Sequence, residues 1–239
     1  MTDPIPDLTN TVAVVTGATG GMGQIIAVSL VHAGAHVVTI ARNPARADAL
    51  RARIAAPAAH RLEVITADLS RREDVLTAAR TIVDRHDQVH ILVNNAGAHF
   101  PEHRVSADGI EMHIALDYLA AYGLMTLLDG PLRRGRARIV NVASDTLNDT
   151  RQIKLAGHPR PATLDLTRVD SLAQLNPATG FVPFEAYARA KLMTVTAGYA
   201  LAREFTAGPV TVNALHPGIV ATGIILLIAE RRTGFHRFV

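Results

Sequence analysis

The stretch Val12-Ala13-Val14-Val15-Thr16-Gly17-Ala18-Thr19-Gly20-Gly21-Met22-Gly23 decides the fold. Its first five residues are a short, valine-rich run, the pattern of a strand buried on both faces. Glycines at 17, 21 and 23 then give the spacing G-x-x-x-G-x-G, and residues 21–33 read as a helix that Gly34 ends. A strand that turns sharply into a helix needs glycine where φ is positive or where another group comes close to the backbone. Amide groups at the start of the helix form an anion site, so the turn suits a pyrophosphate. Gly17, Thr19, Gly21, Met22 and Gly23 are therefore candidate nucleotide-binding residues. The alternative is a glycine-rich turn with no ligand; the flanking strand and helix argue against it.

The same alternation runs outward along the chain. Residues 36–40, 62–66, 90–93, 138–142 and 210–214 read as further strands. Between them, 44–55, a stretch after Ser70, 106–128 and 186–205 read as helices. Ser70 with Glu73 resembles a capping box, and Ser106 reads as the cap of the long helix. Strands alternating with helices imply an α/β fold built on a parallel sheet. Residues 145–186 lack sustained periodicity and read as an extended loop with short helical pieces.

Composition narrows the function. A length of 239 residues suits a single domain spanning 1–239, and an apolar fraction of 49% supplies its core. With 4% aromatics and no tryptophan, that core must be aliphatic. The formal charge of +3 is too small and scattered to indicate nucleic acid. The chain has no cysteine, which rules out disulfides, thiolate metal sites and cysteine nucleophiles, and fits a cytoplasmic protein. Residues 1–10 do not resemble a signal peptide, and the apolar run 223–229 is too short to span a bilayer. His99, His158 and His216 show no metal-ligand spacing, so no metal is expected.

After the second strand comes Ala41-Arg42-Asn43. An NAD site usually has an acid there for the ribose 2′-hydroxyl. Here Arg42, helped by Arg46, suits a 2′-phosphate, so NADP(H) is expected over NAD(H), with Asn43 beside it. Asp68-Leu69, after the third strand, sits where an adenine edge would be read, or else simply opens the next helix. Tyr187-Ala188-Arg189-Ala190-Lys191 puts a phenol and an ammonium one helical turn apart on one face. An ammonium beside a phenol stabilises phenolate and makes tyrosine a usable acid–base group. Lys191 carries extra weight because Lys154 is the only other lysine.

Taken together, these pieces resemble the short-chain dehydrogenase/reductase family. Thr16 to Gly23 matches its glycine motif, Asn94-Asn95-Ala96-Gly97 its signature after strand four, and Tyr187 with Lys191 its active-site pair. Arg138-Ile139-Val140-Asn141-Val142-Ala143-Ser144 resembles the strand that ends in the catalytic serine. His216-Pro217-Gly218-Ile219-Val220-Ala221-Thr222 resembles the turn that holds the nicotinamide. Asp108-Gly109-Ile110-Glu111 and the long gap from Ser144 to Tyr187 look like the retinol-dehydrogenase and protochlorophyllide-reductase-like branch.

The resemblance implies a doubly wound, Rossmann-type sheet in the order 3-2-1-4-5-6 with helices on both faces. It also implies hydride transfer between NADP(H) and a small-molecule carbonyl or alcohol. Tyr187 would exchange the proton, Ser144 would hold the carbonyl oxygen, and Lys191 would tune Tyr187 and bind ribose. Asn95, Ala96, Gly97, Pro217, Gly218 and Thr222 would line the cofactor site. Residues 145–186, between Ser144 and Tyr187, would then form a lid.

Two departures stand out. The family's helix asparagine is replaced by Asp117, whose charge near Lys191 would raise the basicity of the pair, unless it faces solvent. Only residues 223–239 follow the Pro-Gly turn, so a seventh strand is not expected. A bare sheet edge would favour a homo-oligomer. These departures keep two alternatives open: a catalytically impaired nucleotide-binding sensor or scaffold, and an epimerase or dehydratase on the same fold.

Overall fold

A computed structural model of the chain describes residues 6–151, 158–167, 169–205 and 208–218. Val12–Thr16 (β1), His36–Ala41 (β2), Leu62–Thr66 (β3), Ile91–Asn94 (β4), Arg138–Val142 (β5) and Thr211–Leu215 (β6) form one parallel sheet in the order β3-β2-β1-β4-β5-β6. Alternate strand residues face opposite layers. Val14, Val38, Ile65, Leu92 and Ile139 point to one side. There they pack against Arg72–Arg85 (α3), Ala120–Leu127 (α4) and Asp129–Arg134 (α5), through Val75, Ile82, Leu124 and Leu132. Ala13, Val15, Val37 and Leu62 point the other way, toward Gly21–His32 (α1) and Pro44–Arg51 (α2), through Ala27, Val31 and Leu50. This is the doubly wound arrangement the apolar strands imply. Any seventh strand would lie beyond residue 218, outside the described residues. Among the described residues, no helix is long and apolar enough to cross a membrane.

Helix boundaries depart from the sequence reading at three places. Ser70 does not cap α3, because its amide and hydroxyl both bond to Asp68 Oδ1. Instead, Asp74 reaches back to the Asp68 amide, and Asp108 accepts from the Arg72 amide at 2.7 Å. Ser106 starts no long helix either. It closes a tight turn through its bond to the Ile110 carbonyl, with Gly109 at φ +73°. The helical stretch that follows includes a π-helical turn at Ile114–Leu119 before α4 begins. Pro183–Glu204 (α6) begins three residues before its expected start, with a proline preorganised in its first turn.

Among its described residues before Pro183, the segment 145–186 shows no long helix or strand. It contains single turns at Asp145–Leu147 and Leu172–Gln174. It is anchored all the same: Leu164, Val169, Leu172 and Leu175 pack against Ile114, Ala190 and Met193.

Candidate active site

The carboxyl ends of β1, β4 and β5 lie together at one end of the sheet, and α6 packs beside β5. After β1 the chain turns through Gly17 (φ +68°) and Gly21 (φ +53°) into α1. A Cβ on Gly23 would lie 2.4 Å from the Gly17 carbonyl oxygen and 2.3 Å from Asn95 Nδ2. The turn is tied to β4 from below: Asn95 Nδ2 donates to the Thr16 carbonyl at 2.9 Å, and the Asn95 and Ala96 amides donate to Thr16 Oγ1. The N-cap of α1 is Gly20, which brings no capping side chain, and the first turn holds no acid. Amides at the mouth of a twelve-residue helix are thus left for an anion. Thr19 and Met22 are half-buried beside them.

After β2, Arg42 is exposed and makes no ion pair with a described residue. Asn43 caps α2 by accepting from the Arg46 amide. Asp68 Oδ1 is occupied by Ser70, so the alternative reading of Asp68 as a helix-opening turn describes one of its two oxygens; Leu69 is buried. Pro217 and Gly218 lie exposed beyond β6, with Gly218 at φ +72°. Thr222 lies outside the described residues.

Tyr187 and Lys191 are both buried on α6, at 9% and 3% exposure, with Lys191 Nζ 5.7 Å from the phenol ring centre. Nζ donates to the Val142 carbonyl at the end of β5, at 3.1 Å. Two residues beyond Val142, Ser144 accepts from the Thr146 amide and engages the Tyr187 hydroxyl. Burial is the main force on the phenol and pushes its pKa up. Asp117 adds to the rise, and the Ser144 bond opposes it. The sequence argument looked to Lys191, whereas burial and Asp117 are the main influences on the phenol here; burial also pulls Lys191 down from its ordinary value while Asp117 supports its charge.

Asp117 does not face solvent. It is 1% exposed, on the π-helical turn, with Oδ1 accepting from the Ala98 amide at 2.8 Å. Its Oδ2 has no hydrogen-bond partner among the described residues. Burial lifts its pKa to about 6, against the pull of Lys191. A Cβ on Gly97 would sit 2.7 Å from Asp117 Oδ1 and 3.0 Å from Lys191 Nζ, so only glycine fits between them. The Asp117 main-chain carbonyl is also engaged, accepting from Thr194 Oγ1 at 2.8 Å.

The profile of the short chain dehydrogenase family matches residues 11–153. The chain belongs to that family. An uncharacterized oxidoreductase of Schizosaccharomyces pombe is 32% identical over 91% of this chain and 62% of its own length. Retinol dehydrogenase 12 of Bos taurus is 31% identical over 90% of this chain and 63% of its own length. This chain thus spans about three fifths of the length of these two curated relatives. A structure of an uncharacterized Mycobacterium paratuberculosis protein is 25% identical and superposes with a TM-score of 0.71, covering 94% of this chain and 73% of that one.

In this member of the family, Ser144, Tyr187, Lys191 and Asp117 come together at the carboxyl ends of the strands, next to the glycine turn and Asn95 to Gly97. Arg42 and Asn43 stand apart from them, past the end of β2.

Sequence reasoning missed a buried network beside the pair. Phe100 N donates to His113 Nε2, so the ring proton sits on Nδ1, 2.7 Å from Glu111 Oε1. Asn176 Nδ2 donates to Glu111 Oε2, and Arg189 donates to Asn176 Oδ1. The one sequence signal for it was Glu111 in the Asp-Gly-Ile-Glu motif. A cleft of about 390 Å³ opens alongside, lined by His99, Phe184, Val182, Thr150, Arg151 and Arg160. His99 lies 6.0 Å from the Tyr187 ring, so cleft and phenol are adjacent.

Proposed function

We propose that the protein is an NADP(H)-dependent oxidoreductase acting on a carbonyl or alcohol group, with Tyr187 as its general acid–base. The observation that carries this reading is the buried Tyr187–Lys191 pair with half-buried Ser144 against it, beside an uncapped helix mouth. The turn fits a dinucleotide, because glycines at 17 and 23 keep it free of Cβ atoms it has no room for. Amides of Gly21, Met22 and Gly23 would hold the pyrophosphate, Asn95 to Gly97 would flank it, and Arg42 would face a 2′-phosphate. When bound, the nicotinamide supplies or accepts hydride. Ser144 holds the substrate oxygen, and Tyr187 gives it a proton during reduction or takes one during oxidation. Lys191, fixed by Val142, favours the phenolate form and faces the ribose.

The cleft by His99 would take the rest of the substrate, with 145–186 as its lid. A cytoplasmic, homo-oligomeric protein is part of the same proposal. Its supports are the absence of cysteine and the exposure of β6.

The test is NADPH consumption over a panel of aldehydes, ketones and quinones, alongside thermal shifts with NADPH and NADH. Turnover should fall by about 10²–10⁴-fold in Tyr187→Phe with NADPH binding retained. Arg42→Ala should cost roughly tenfold in NADPH affinity and leave NADH affinity unchanged. Binding without turnover on any carbonyl would favour a nucleotide sensor, a reading that draws on the buried Asp117.

A further inference from the structure

At the opposite end of the strands, three side chains from three elements converge. His36 is the first residue of β2, Glu63 the second of β3, and His86 the C-cap of α3. Val38 pairs with Glu63 in the strand register, and Val38 and Ile65 face the α3 side, so His36 and Glu63 share that face. The C-terminus of α3 then brings His86 down onto them. His36 Nε2 lies 3.3 Å and His86 Nε2 2.9 Å from the same oxygen, Glu63 Oε2. All three ligand atoms lie within 4.8 Å of one another, the one such grouping among the described residues.

We infer that His36, Glu63 and His86 form a divalent-cation site of zinc type, fastening β2 and β3 to the end of α3. Two imidazoles and one carboxylate match zinc's preference for nitrogen and oxygen donors, with a fourth position left to water. Bonds of about 2.0–2.2 Å from a tetrahedral zinc would set its ligands about 3.3–3.6 Å apart; His36 at 3.3 Å meets this, and His86 at 2.9 Å would move out by about half an ångström. Arg85 Nη1 holds the other carboxylate oxygen, Oε1, at 2.6 Å. It orients the group and leaves Oε2 toward the histidines, as a second-shell partner does. The Glu63 side chain is 18% exposed, His86 12% and His36 37%, so an ion would reach the site from solvent. The length of β2, roughly 20 Å, separates this end from the glycine turn, so the ion would be structural. The inference is independent of the proposed catalytic function.

The experiment uses tag-free protein stripped with a chelator and titrated with zinc chloride at neutral pH by calorimetry. One site per chain is expected, with a rise in melting temperature and no change in NADPH binding. His36→Gln/His86→Gln should lose that site, and Glu63→Gln should weaken it more than about tenfold. The eleven histidines call for a readout that needs no variant. Imidazole NMR of the unmodified protein should show two rings moving on zinc addition. Equal zinc binding by the double variant, no rise in melting temperature, or movement of no ring or of many scattered rings would overturn the assignment.

Discussion

Asp117 stands where the family resemblance leads one to expect an asparagine. Its carboxyl is fully enclosed and titrates near pH 6 instead of 3.8. The folded protein therefore binds that proton more tightly than the unfolded chain does. Its stabilising effect is complete below about pH 4 and is lost as pH rises through about 6. Asp117→Asn removes this term. The variant should gain on the parent across that window, by at most roughly 3 kcal/mol at pH 7, less the cost of leaving Lys191 without its neighbouring charge. Urea midpoints at several pH values check this, and parallel curves for the two proteins would refute it. The same change relieves repulsion on Tyr187. The rising limb of the alcohol-oxidation rate should therefore move to lower pH, and an unmoved limb would remove Asp117 from the reaction.

Among the elements, the glycine turn makes the sharpest contrast. Gly20 has an extended backbone (φ −171°) and nothing within 4 Å of an added Cβ, whereas Gly23 would drive a Cβ into the Gly17 carbonyl. Gly20→Ser should fold normally, with stability changed by a few tenths of a kcal/mol through N-capping. Gly23→Ala should abolish the thermal shift with NADPH. Equal shifts from both variants would show that the turn is not the nucleotide cradle. This turn was legible in the sequence because its chemistry is local: strand, glycines and helix follow one another. So was the Tyr187–Lys191 pair, one helical turn apart. What stayed hidden is held by partners far along the chain. Asp108 caps a helix 36 residues before it, and Asn176 reaches Glu111 across 65 residues. No periodicity encodes such contacts. The expected helix from Ser106 failed for a local reason instead: the serine amide closes a turn on the Ile110 carbonyl through Gly109, at φ +73°.

At the scale of the whole molecule, residues of the segment 145–186 wall the cleft beside His99, next to the candidate site. Asp149 is the clasp of that segment. Its carboxylate takes Arg151 through both oxygens and the Arg160 amide at 3.1 Å, and the Arg151 guanidinium holds its pKa well below the usual carboxylate range. Thr150 and Arg160 are joined in turn by a 2.7 Å backbone bond, and Ala162 returns to the Leu147 carbonyl. Thr150, Arg151 and Arg160 all line the cleft beside His99, so the clasp shapes the wall that a substrate would meet. The apolar contacts of Leu172 and Leu175 lie farther along the segment and anchor it independently. Asp149→Ala should therefore free residues 158–163 without unfolding the domain. Amide exchange there should rise several-fold, and kcat/KM should fall through KM while NADPH affinity holds. Because the anchor and the sheet are untouched, the melting temperature should change little. Unchanged exchange and KM would mean that the clasp does not govern the cleft, and that the segment is not a lid.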